Sequence, residues 1–228
     1  MAPKQPLQIA IDGPAASGKT TVARQLAERL GLLYLDTGAM YRALAFAALR
    51  TQTDLDNENA LLRLFESRIR VALEKNAAMG FRIFAGQDEL QQADLESPEV
   101  TAVVSTIASY PGVREAMVSE QRRIAQEGAV VMAGRDIGTV VLPEAPYKIY
   151  LTASVPARVQ RRRAQLEAAG VSVGTRALTQ EILERDRLDQ TRETSPLRKA
   201  SRAHVIDSST LDAEAVVQAI CSIVKDAA

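Results

Sequence analysis

Gly13-Pro14-Ala15-Ala16-Ser17-Gly18-Lys19-Thr20 matches the pattern G-x-x-x-x-G-K-[ST] at every fixed position. An apolar run at 7–11, typical of a buried strand, comes before it, and a helical pattern ended by Gly31 follows. Glycines let the backbone wrap a phosphate group with its N–H groups, and a helix start adds positive potential. A glycine turn without a ligand is the alternative, but the strand–loop–helix context favours a phosphate-binding loop.

This loop predicts nucleotide chemistry. Lys19 is expected to reach the β- and γ-phosphates, and the Thr20 hydroxyl is expected to hold Mg²⁺. The predicted ATP-binding residues of this segment are Gly13, Pro14, Ala15, Ala16, Ser17, Gly18, Lys19, Thr20 and Thr21.

Outward from the loop, apolar runs of strand length alternate with helical patterns, which predicts a parallel sheet covered by helices. The predicted strands are 7–11, 32–35, 129–132, 148–151 and 203–206. The predicted helices are 22–30, 39–49, 97–108, 113–127, 155–169, 178–190 and 211–224, with a polar run at 51–59. The expected fold class is α/β, a three-layer phosphate-loop fold with a central parallel sheet.

Residues 68–92 change from helical period to period two, with a turn predicted at 76–80. This pattern is typical of a small antiparallel meander inserted in one crossover of the main sheet. We therefore expect residues 1–228 to form a single domain with a β insert, the insert region covering 64–108. A helical lid is expected at 154–176.

Composition excludes several classes of protein. The chain has 228 residues, with 28 Lys and Arg against 28 Asp and Glu, so its formal net charge is zero. This balance argues against a protein whose whole surface binds nucleic acid. Cys221 is the single cysteine, and no run is long and apolar enough to span a bilayer. We expect a cytoplasmic monomer with no membrane or nucleic-acid partner.

The loop is shared by GTPases, ATP-driven motors and small-molecule kinases. A guanine-binding Asn/Thr-Lys-x-Asp stretch is absent from the sequence, and the strand at 129–132 runs into Ala-Gly-Arg-Asp where a motor would carry an aspartate directly. A small-molecule kinase is therefore favoured.

Arginine supplies 22 of the 28 basic residues, and residues 151–202 hold ten Arg and one Lys against six acidic residues. Beside a phosphate loop, such arginines are suited to neutralising a phosphoryl group in transfer. The run Arg158, Arg161, Arg162 and Arg163 has a solvated basic face as its alternative. Arg185, Asp189 and Arg192 are predicted to share one helix face, the alternative being an exposed salt-bridged stripe.

Four further stretches are more specific than the loop: Leu-Asp-Thr-Gly-Ala-Met-Tyr-Arg at 35–42, Val113-Arg114, Gly-Arg-Asp-Ile-Gly-Thr-Val-Val at 134–141, and 185–192. Together with the loop and the small meander, they span nearly the whole chain in order. With them the sequence resembles the bacterial cytidylate kinases, a family of phosphate-loop nucleoside monophosphate kinases.

The resemblance implies ATP-dependent phosphorylation of CMP and dCMP to the diphosphates, with Mg²⁺. It implies that the acceptor phosphate and the transferred group are held by Arg42, Arg135, Arg185 and Arg192. It implies ribose contacts from Ser105, Arg185 and Asp189, and base contacts from Thr37, Arg114 and Asp136. The predicted catalytic residues are Lys19, Arg135, Arg162 and Arg185, and Arg158 and Arg162 are expected to contact ATP.

Cytosine offers an amino donor at N4 and acceptors at N3 and O2, so a carboxylate and a guanidinium complement it, whereas uracil places an acceptor against the carboxylate. The sequence departs from the family pattern at Ala133, where many relatives have an acidic residue. Asp36 is predicted to take the place of that acidic side chain. Segment 207–210 is expected either at the adenine edge or as a helix N-cap. The rival functions are a kinase for another acceptor, such as UMP, AMP or a sugar-like alcohol, and a non-catalytic ATP-binding regulator.

Overall fold

A computed structural model describes residues 6–74, 80–168 and 170–225. In chain order its strands are β1 (Gln8–Asp12), β2 (Leu33–Asp36), β3 (Ile69–Leu73), β4 (Phe81–Ala85), β5 (Asp88–Glu89), β6 (Val130–Gly134), β7 (Tyr147–Thr152) and β8 (His204–Asp207). Five of them form a parallel sheet in the order β2-β6-β1-β7-β8. This confirms the predicted parallel sheet and its five strands.

Helices flank that sheet. They are α1 (Lys19–Leu30), α2 (Thr37–Arg50), α3 (Glu58–Arg68), α4 (Gln92–Leu95), α5 (Pro98–Ile107), α6 (Pro111–Ala125), α7 (Val155–Ala168), α8 (Thr175–Thr191) and α9 (Ala213–Lys225). Burial explains the central strand, because β1 is covered on both faces by helices and its residues Ile9, Ala10 and Ile11 are fully buried. The predicted α/β class is confirmed.

The phosphate-binding loop joins β1 to α1, as predicted. Gly13 has a φ of +155°, and a Cβ there would lie 2.0 Å from the carbonyl oxygen of Leu151 on β7. Gly18 adopts the left-handed conformation, with a φ of 92°, immediately before the first turn of α1. These two positions therefore require glycine for different reasons, close backbone approach and a positive φ.

Strands β3, β4 and β5 form a separate antiparallel sheet between α3 and α4 in the chain. Val71 pairs with Ile83, and both side chains are buried against the main core. The predicted meander is confirmed, whereas its turn at 76–80 lies outside the described residues except for Gly80.

Local structure differs from the prediction at several places, one of them the short helix α4 (Gln92–Leu95), which was not predicted. Helix α3 was not predicted, although Asn57 caps it and Leu61, Leu64 and Phe65 lie on its buried face. The segment Ile137–Val141 forms a π-helical turn after β6. Helix α9 begins at Ala213 with the Asp212 carboxylate accepting from the N–H of Ala215, so the predicted N-cap within 207–210 is wrong.

Cys221 is a buried free thiol on the core face of α9, and His204 is exposed at the start of β8. Across the described ranges, no helix is long and apolar enough to cross a membrane.

Candidate active site

A cleft of about 930 Å³ opens where β1, β2 and β6 end. Its walls come from the phosphate-binding loop, the start of α2, helix α5, residues 133–136 and helices α7 and α8. Ligands of open parallel sheets bind at this carboxyl edge of the strands. The fold thus gathers segments that are far apart in the sequence around one cavity.

Lys19 lies at the floor of the loop. Its ammonium donates to the carbonyl of Pro14 at 2.6 Å and to the Ser17 hydroxyl at 3.3 Å. Burial, together with the nearby Arg135 guanidinium, lowers the pKa of Lys19. The charged form is therefore costly in the free protein, and an anion beside it would restore the favourable charge pairing.

Thr20 and Asp36 bring two oxygen atoms together beside the loop. The Thr20 hydroxyl donates to Asp36 Oδ2 at 2.7 Å, while Asp36 Oδ1 accepts from the N–H of Gly38 and caps α2. Asp36 is also the register partner of Ala133 across β2 and β6. The carboxylate that the sequence lacks at Ala133 is thus present on the neighbouring strand.

Arg158 supports the loop from behind. Its guanidinium donates to the carbonyls of Ala15 and Ala153, and it pairs with Asp186 at 2.6 Å. The Arg158 side chain is 5% exposed and does not line the cleft. This geometry favours a supporting role, and the predicted contact between Arg158 and ATP stays a prediction.

Arg161, one turn further on, faces the cleft instead. It donates to the carbonyl of Ser17 at 3.4 Å and to the Ser208 hydroxyl at 3.0 Å, and it also bonds the carbonyls of Ser208 and Leu211. The loop after β8 is thereby tied to the phosphate-binding loop. Sequence reasoning placed Arg161 in a basic run without giving it a site role, because its partners are in a distant segment.

Arg114 and Asp136 form a buried pair at the other end of the cleft. Arg114 Nη2 lies 2.5 Å from Asp136 Oδ2, and Arg114 Nη1 donates to the carbonyl of Ala108. The Arg114 guanidinium also lies over the Tyr41 ring, 5.4 Å from its centroid. Thr37 donates to the carbonyl of Ala133 at 3.0 Å nearby.

Three buried polar atoms around this pair have no hydrogen-bond partner in the described part of the chain. They are the Tyr41 hydroxyl, Arg114 Nε and Arg192 Nη2. Burial raises the pKa of Tyr41 to about 12, so its hydroxyl keeps its proton and is a donor. Native proteins rarely leave such groups unpaired, and here they converge on one small region of the cleft. Tyr41 is a second residue that the sequence analysis missed.

Between the two ends lies a group of guanidiniums. Arg135 Nε pairs with Asp189 at 2.6 Å, and this carboxylate, outweighing the effect of burial, holds the pKa of Arg135 above its ordinary value. Arg42 donates to the carbonyl of Leu95 and to Thr101. Burial and the neighbouring Arg135 and Arg42 lower the pKa of Arg185 to about 10. Like charges held this close are suited to bind phosphate groups.

A polar bridge crosses the mouth of the cleft. Gln165 on α7 donates to the Glu96 carboxylate at 2.9 Å and accepts from Arg162 at 3.0 Å. Arg162 also approaches Glu181 on α8 at 3.9 Å. Arg163, in contrast, is exposed and pairs with Glu167 on its own helix.

The predicted acceptor residues meet in this cleft. Its lining includes Thr37, Arg42, Ser105, Arg114, Arg135, Asp136, Arg185, Asp189 and Arg192. Of the residues predicted to bind ATP, the lining contains Ala15, Ala16, Ser17, Gly18, Lys19, Thr20, Thr21 and Arg162. Gly13, Pro14 and Arg158 do not line the cleft.

The fold and the site define a phosphate-loop protein with a basic cleft for a second anionic group. A family model described as cytidylate kinase matches residues 9–226. The chain belongs to the cytidylate kinase family, and it is a nucleoside monophosphate kinase.

Individual relatives agree with this assignment. A cytidylate kinase of Geobacillus sp. (strain WCH70) is 47% identical over 220 residues, covering 96% of this chain and 97% of the relative. One of Pelotomaculum thermopropionicum is 48% identical over 212 residues, covering 93% of each. Among solved structures, an uncharacterized protein of Eubacterium ventriosum shares the fold with a TM-score of 0.55 at 15% identity, covering 98% of this chain and 99% of that one.

Proposed function

We propose that the protein transfers the γ-phosphoryl group of ATP to CMP and dCMP, producing ADP and CDP or dCDP. The observation that carries the proposal is the buried Arg114–Asp136 pair at the opposite end of a cleft that starts at the phosphate-binding loop. Around this pair are donors that have no partner among the described residues. A cleft with these two ends suits two nucleotides meeting phosphate to phosphate.

The donor end of the cleft holds the ATP phosphates. The backbone N–H groups of the loop and the start of α1 bind them, and Lys19 exchanges its bonds to Pro14 and Ser17 for phosphate oxygens. Arg162 on α7 approaches the same phosphates from the opposite wall. Ser208 and Arg161 close this end near the place of the adenine.

The residues present also fit Mg²⁺. The Thr20 hydroxyl and the Asp36 carboxylate are hard oxygen donors, and Mg²⁺ is bound in such sites by one or two protein oxygens together with phosphates and waters. Across the described residues, no group of three or more His, Cys, Asp or Glu side chains could hold a metal ion. When bound, Mg²⁺ neutralises charge on the β- and γ-phosphates.

The acceptor base lies against Asp136 and Arg114. Asp136 Oδ1 accepts a hydrogen bond from the cytosine amino group at N4. Arg114 and Thr37 complete the contacts to the cytosine acceptors N3 and O2. Uracil would set its O4 acceptor against Asp136 Oδ1, leaving that buried carboxylate oxygen without a donor. Ser105 and Asp189 contact the ribose.

The transfer itself needs alignment and charge neutralisation, with no covalent intermediate. Arg42 and Arg192 hold the acceptor phosphate, and Arg135 and Arg185 contact the group in transfer. Arg135 must then exchange part of its bond to Asp189 for phosphate oxygens. The like charges that lower the pKa of Arg185 become favourable when the two phosphates arrive.

Two regions are proposed to enclose the substrates. Residues 64–108 form the monophosphate-binding insert region, and residues 154–176 form the lid that excludes water during transfer. The bridge between Gln165 and Glu96 joins these regions across the cleft. Because one chain supplies every residue of the proposed site, we propose that it works as a monomer. We also propose that it works in the cytoplasm.

A coupled assay of ADP release tests this function. ATP and Mg²⁺ are supplied with CMP, dCMP, UMP or AMP in separate reactions. We expect turnover with CMP and dCMP and much lower kcat/KM with UMP and AMP. Preferred turnover of another acceptor would overturn the assignment of the base site, and ATP binding without ADP release with any acceptor would indicate a regulator.

A further inference from the structure

Asp12 occupies an unusual position between the two ends of the cleft. It is the last residue of β1, directly before Gly13, and it is the register partner of Gly134 on β6. The residue is 3% exposed and does not line the cleft. A buried carboxylate out of reach of substrate requires a reason, since burial of an ionised group is costly.

Both carboxylate oxygens of Asp12 bind the segment that follows β6. Oδ1 accepts from the N–H of Ile137 and Oδ2 from the N–H of Gly138, each at 2.7 Å. These N–H groups open the π-helical turn that comes directly after Arg135 and Asp136. A charge-assisted pair of bonds to successive N–H groups leaves this backbone little freedom.

The far end of the same turn is also held from outside. Arg122 on α6 donates to the carbonyls of Val140 at 2.6 Å and Val141 at 3.1 Å. A negative group at the first N–H groups and a positive group at the last carbonyls match the polarity of a helical turn. π-helices are rare, occur mostly as single turns, and are frequently found at functional sites.

Keeping the Asp12 carboxylate ionised in this buried position is energetically unfavourable. Burial raises the pKa of Asp12 to about 6, with a further rise from Asp136 and opposing effects from the two N–H groups and from Lys19. The protein thus keeps a carboxylate between the phosphate-binding loop and the segment that carries Arg135 and Asp136, although burial disfavours its ionised form. Energetic cost retained at such a place is typical of functional sites.

We propose that Asp12 is a positioning residue that fixes Arg135 and Asp136 relative to the phosphate-binding loop. It touches neither nucleotide; it sets the distance between the group that binds the cytosine base and the loop that binds ATP. The proposal rests on the function proposed above, because it assigns Asp136 to the base. As a consequence, the selectivity for the acceptor nucleotide depends on a residue of β1, the strand that leads into the ATP-binding loop.

The test compares kcat/KM for CMP and UMP in the full-length wild type and Asp12→Asn. Asparagine keeps the size of the side chain but turns one acceptor into a donor that faces an N–H group. We expect the CMP-to-UMP ratio to fall about tenfold, with the KM for CMP raised more than the KM for ATP. Asp56→Asn, in the exposed connection between α2 and α3, is the matched control and should retain the wild-type ratio.

A double-mutant cycle shows whether Asp12 acts through Asp136. If it does, Asp12→Asn should lower the ratio much less in an Asp136→Asn background than in the wild type. Arg122→Gln loosens the same turn from the surface of α6 and should also lower the ratio, which gives a second test if Asp12→Asn does not fold.

The outcomes separate the two proposals. Wild type that does not prefer CMP would refute the proposed function. Wild type that prefers CMP, with folded Asp12→Asn slowing both acceptors equally, would refute the positioning role and leave the function intact. An unchanged ratio in Arg122→Gln alongside an unfolded Asp12→Asn would refute the positioning role as well.

Discussion

The Arg114 guanidinium and the Asp136 carboxylate lie 2.5 Å apart in an ion pair whose side chains are 3% and 7% exposed. The two residues belong to different elements, α6 and the connection after β6. A buried pair of this kind is weak support for stability, because desolvation offsets much of the attraction. Its planar donor and acceptor groups instead suit the recognition of a polar base, as do the neighbouring polar atoms that find no partner in residues 6–74, 80–168 and 170–225.

Changing Asp136→Asn should lower the preference for CMP over UMP by at least about tenfold. The neutral amide no longer penalises the O4 acceptor of uracil and no longer holds Arg114 by charge. The measurement is the ratio of kcat/KM values for the two acceptors, which cancels any general loss of activity. A ratio equal to that of Asp56→Asn would mean that the base is recognised elsewhere.

Changing Lys19→Met should abolish nearly all phosphoryl transfer while the protein stays folded. The methionine side chain fills the same volume and removes a buried ammonium whose pKa is already lowered by burial, so stability does not depend on the lost charge. Single-turnover assays and circular dichroism check the two parts. Lys199→Met, at an exposed lysine, should keep wild-type turnover.

Changing Tyr41→Phe should weaken CMP binding about fivefold without destabilising the free protein. The hydroxyl is buried and has no partner in the described structure, so its removal costs no hydrogen bond and relieves an unsatisfied group. Calorimetric titration with CMP and urea unfolding give the two quantities. Unchanged affinity together with lower stability would contradict a role for this hydroxyl in binding.

Changing Arg158→Met should lower the free energy of unfolding by about 3 kcal/mol, because Asp186 is left buried without its charge partner. The double variant Arg158→Met, Asp186→Leu should recover part of that loss, since both charges are then gone. Urea unfolding measures each variant. Equal stability of the single variant and the wild type would show that Arg158 does not hold the loop in place.

The protonation of Asp12 should make stability depend on pH. Burial raises its pKa from 3.8 to about 6 in the folded state, so the native protein takes up a proton that the unfolded chain does not. The resulting stabilisation is complete below about pH 4 and is lost as the pH rises through about 6.

Relative to Asp12→Asn, the wild type should therefore gain about 1 kcal/mol in the free energy of unfolding between pH 7 and pH 5. The asparagine variant does not titrate at this position, so the difference between the two proteins isolates the carboxyl group. Parallel urea titrations at the two pH values measure it, and a difference that does not change with pH would place the pKa of Asp12 outside this range.

Much of the fold was predictable from local patterns. Short apolar runs identified the five parallel strands, and glycines before and after α1 marked its ends. Helix α3 was missed although its signals were present, namely the Asn57 cap and the spacing of Leu61, Leu64 and Phe65. The polar stretch before it drew the prediction away from a helix.

By itself, the sequence determined what its chemistry can recognise: a loop whose glycines and Lys19 suit phosphate, and arginines gathered in motifs that resemble one kinase family. Those features are local, because backbone conformation at a glycine or a helix start depends on nearby residues. Only the tertiary structure decided the pairings Arg135–Asp189 and Asp12 with Ile137, which join residues 54 and 125 positions apart. Such partners are brought together by strand order, and strand order is a property of the whole packed chain.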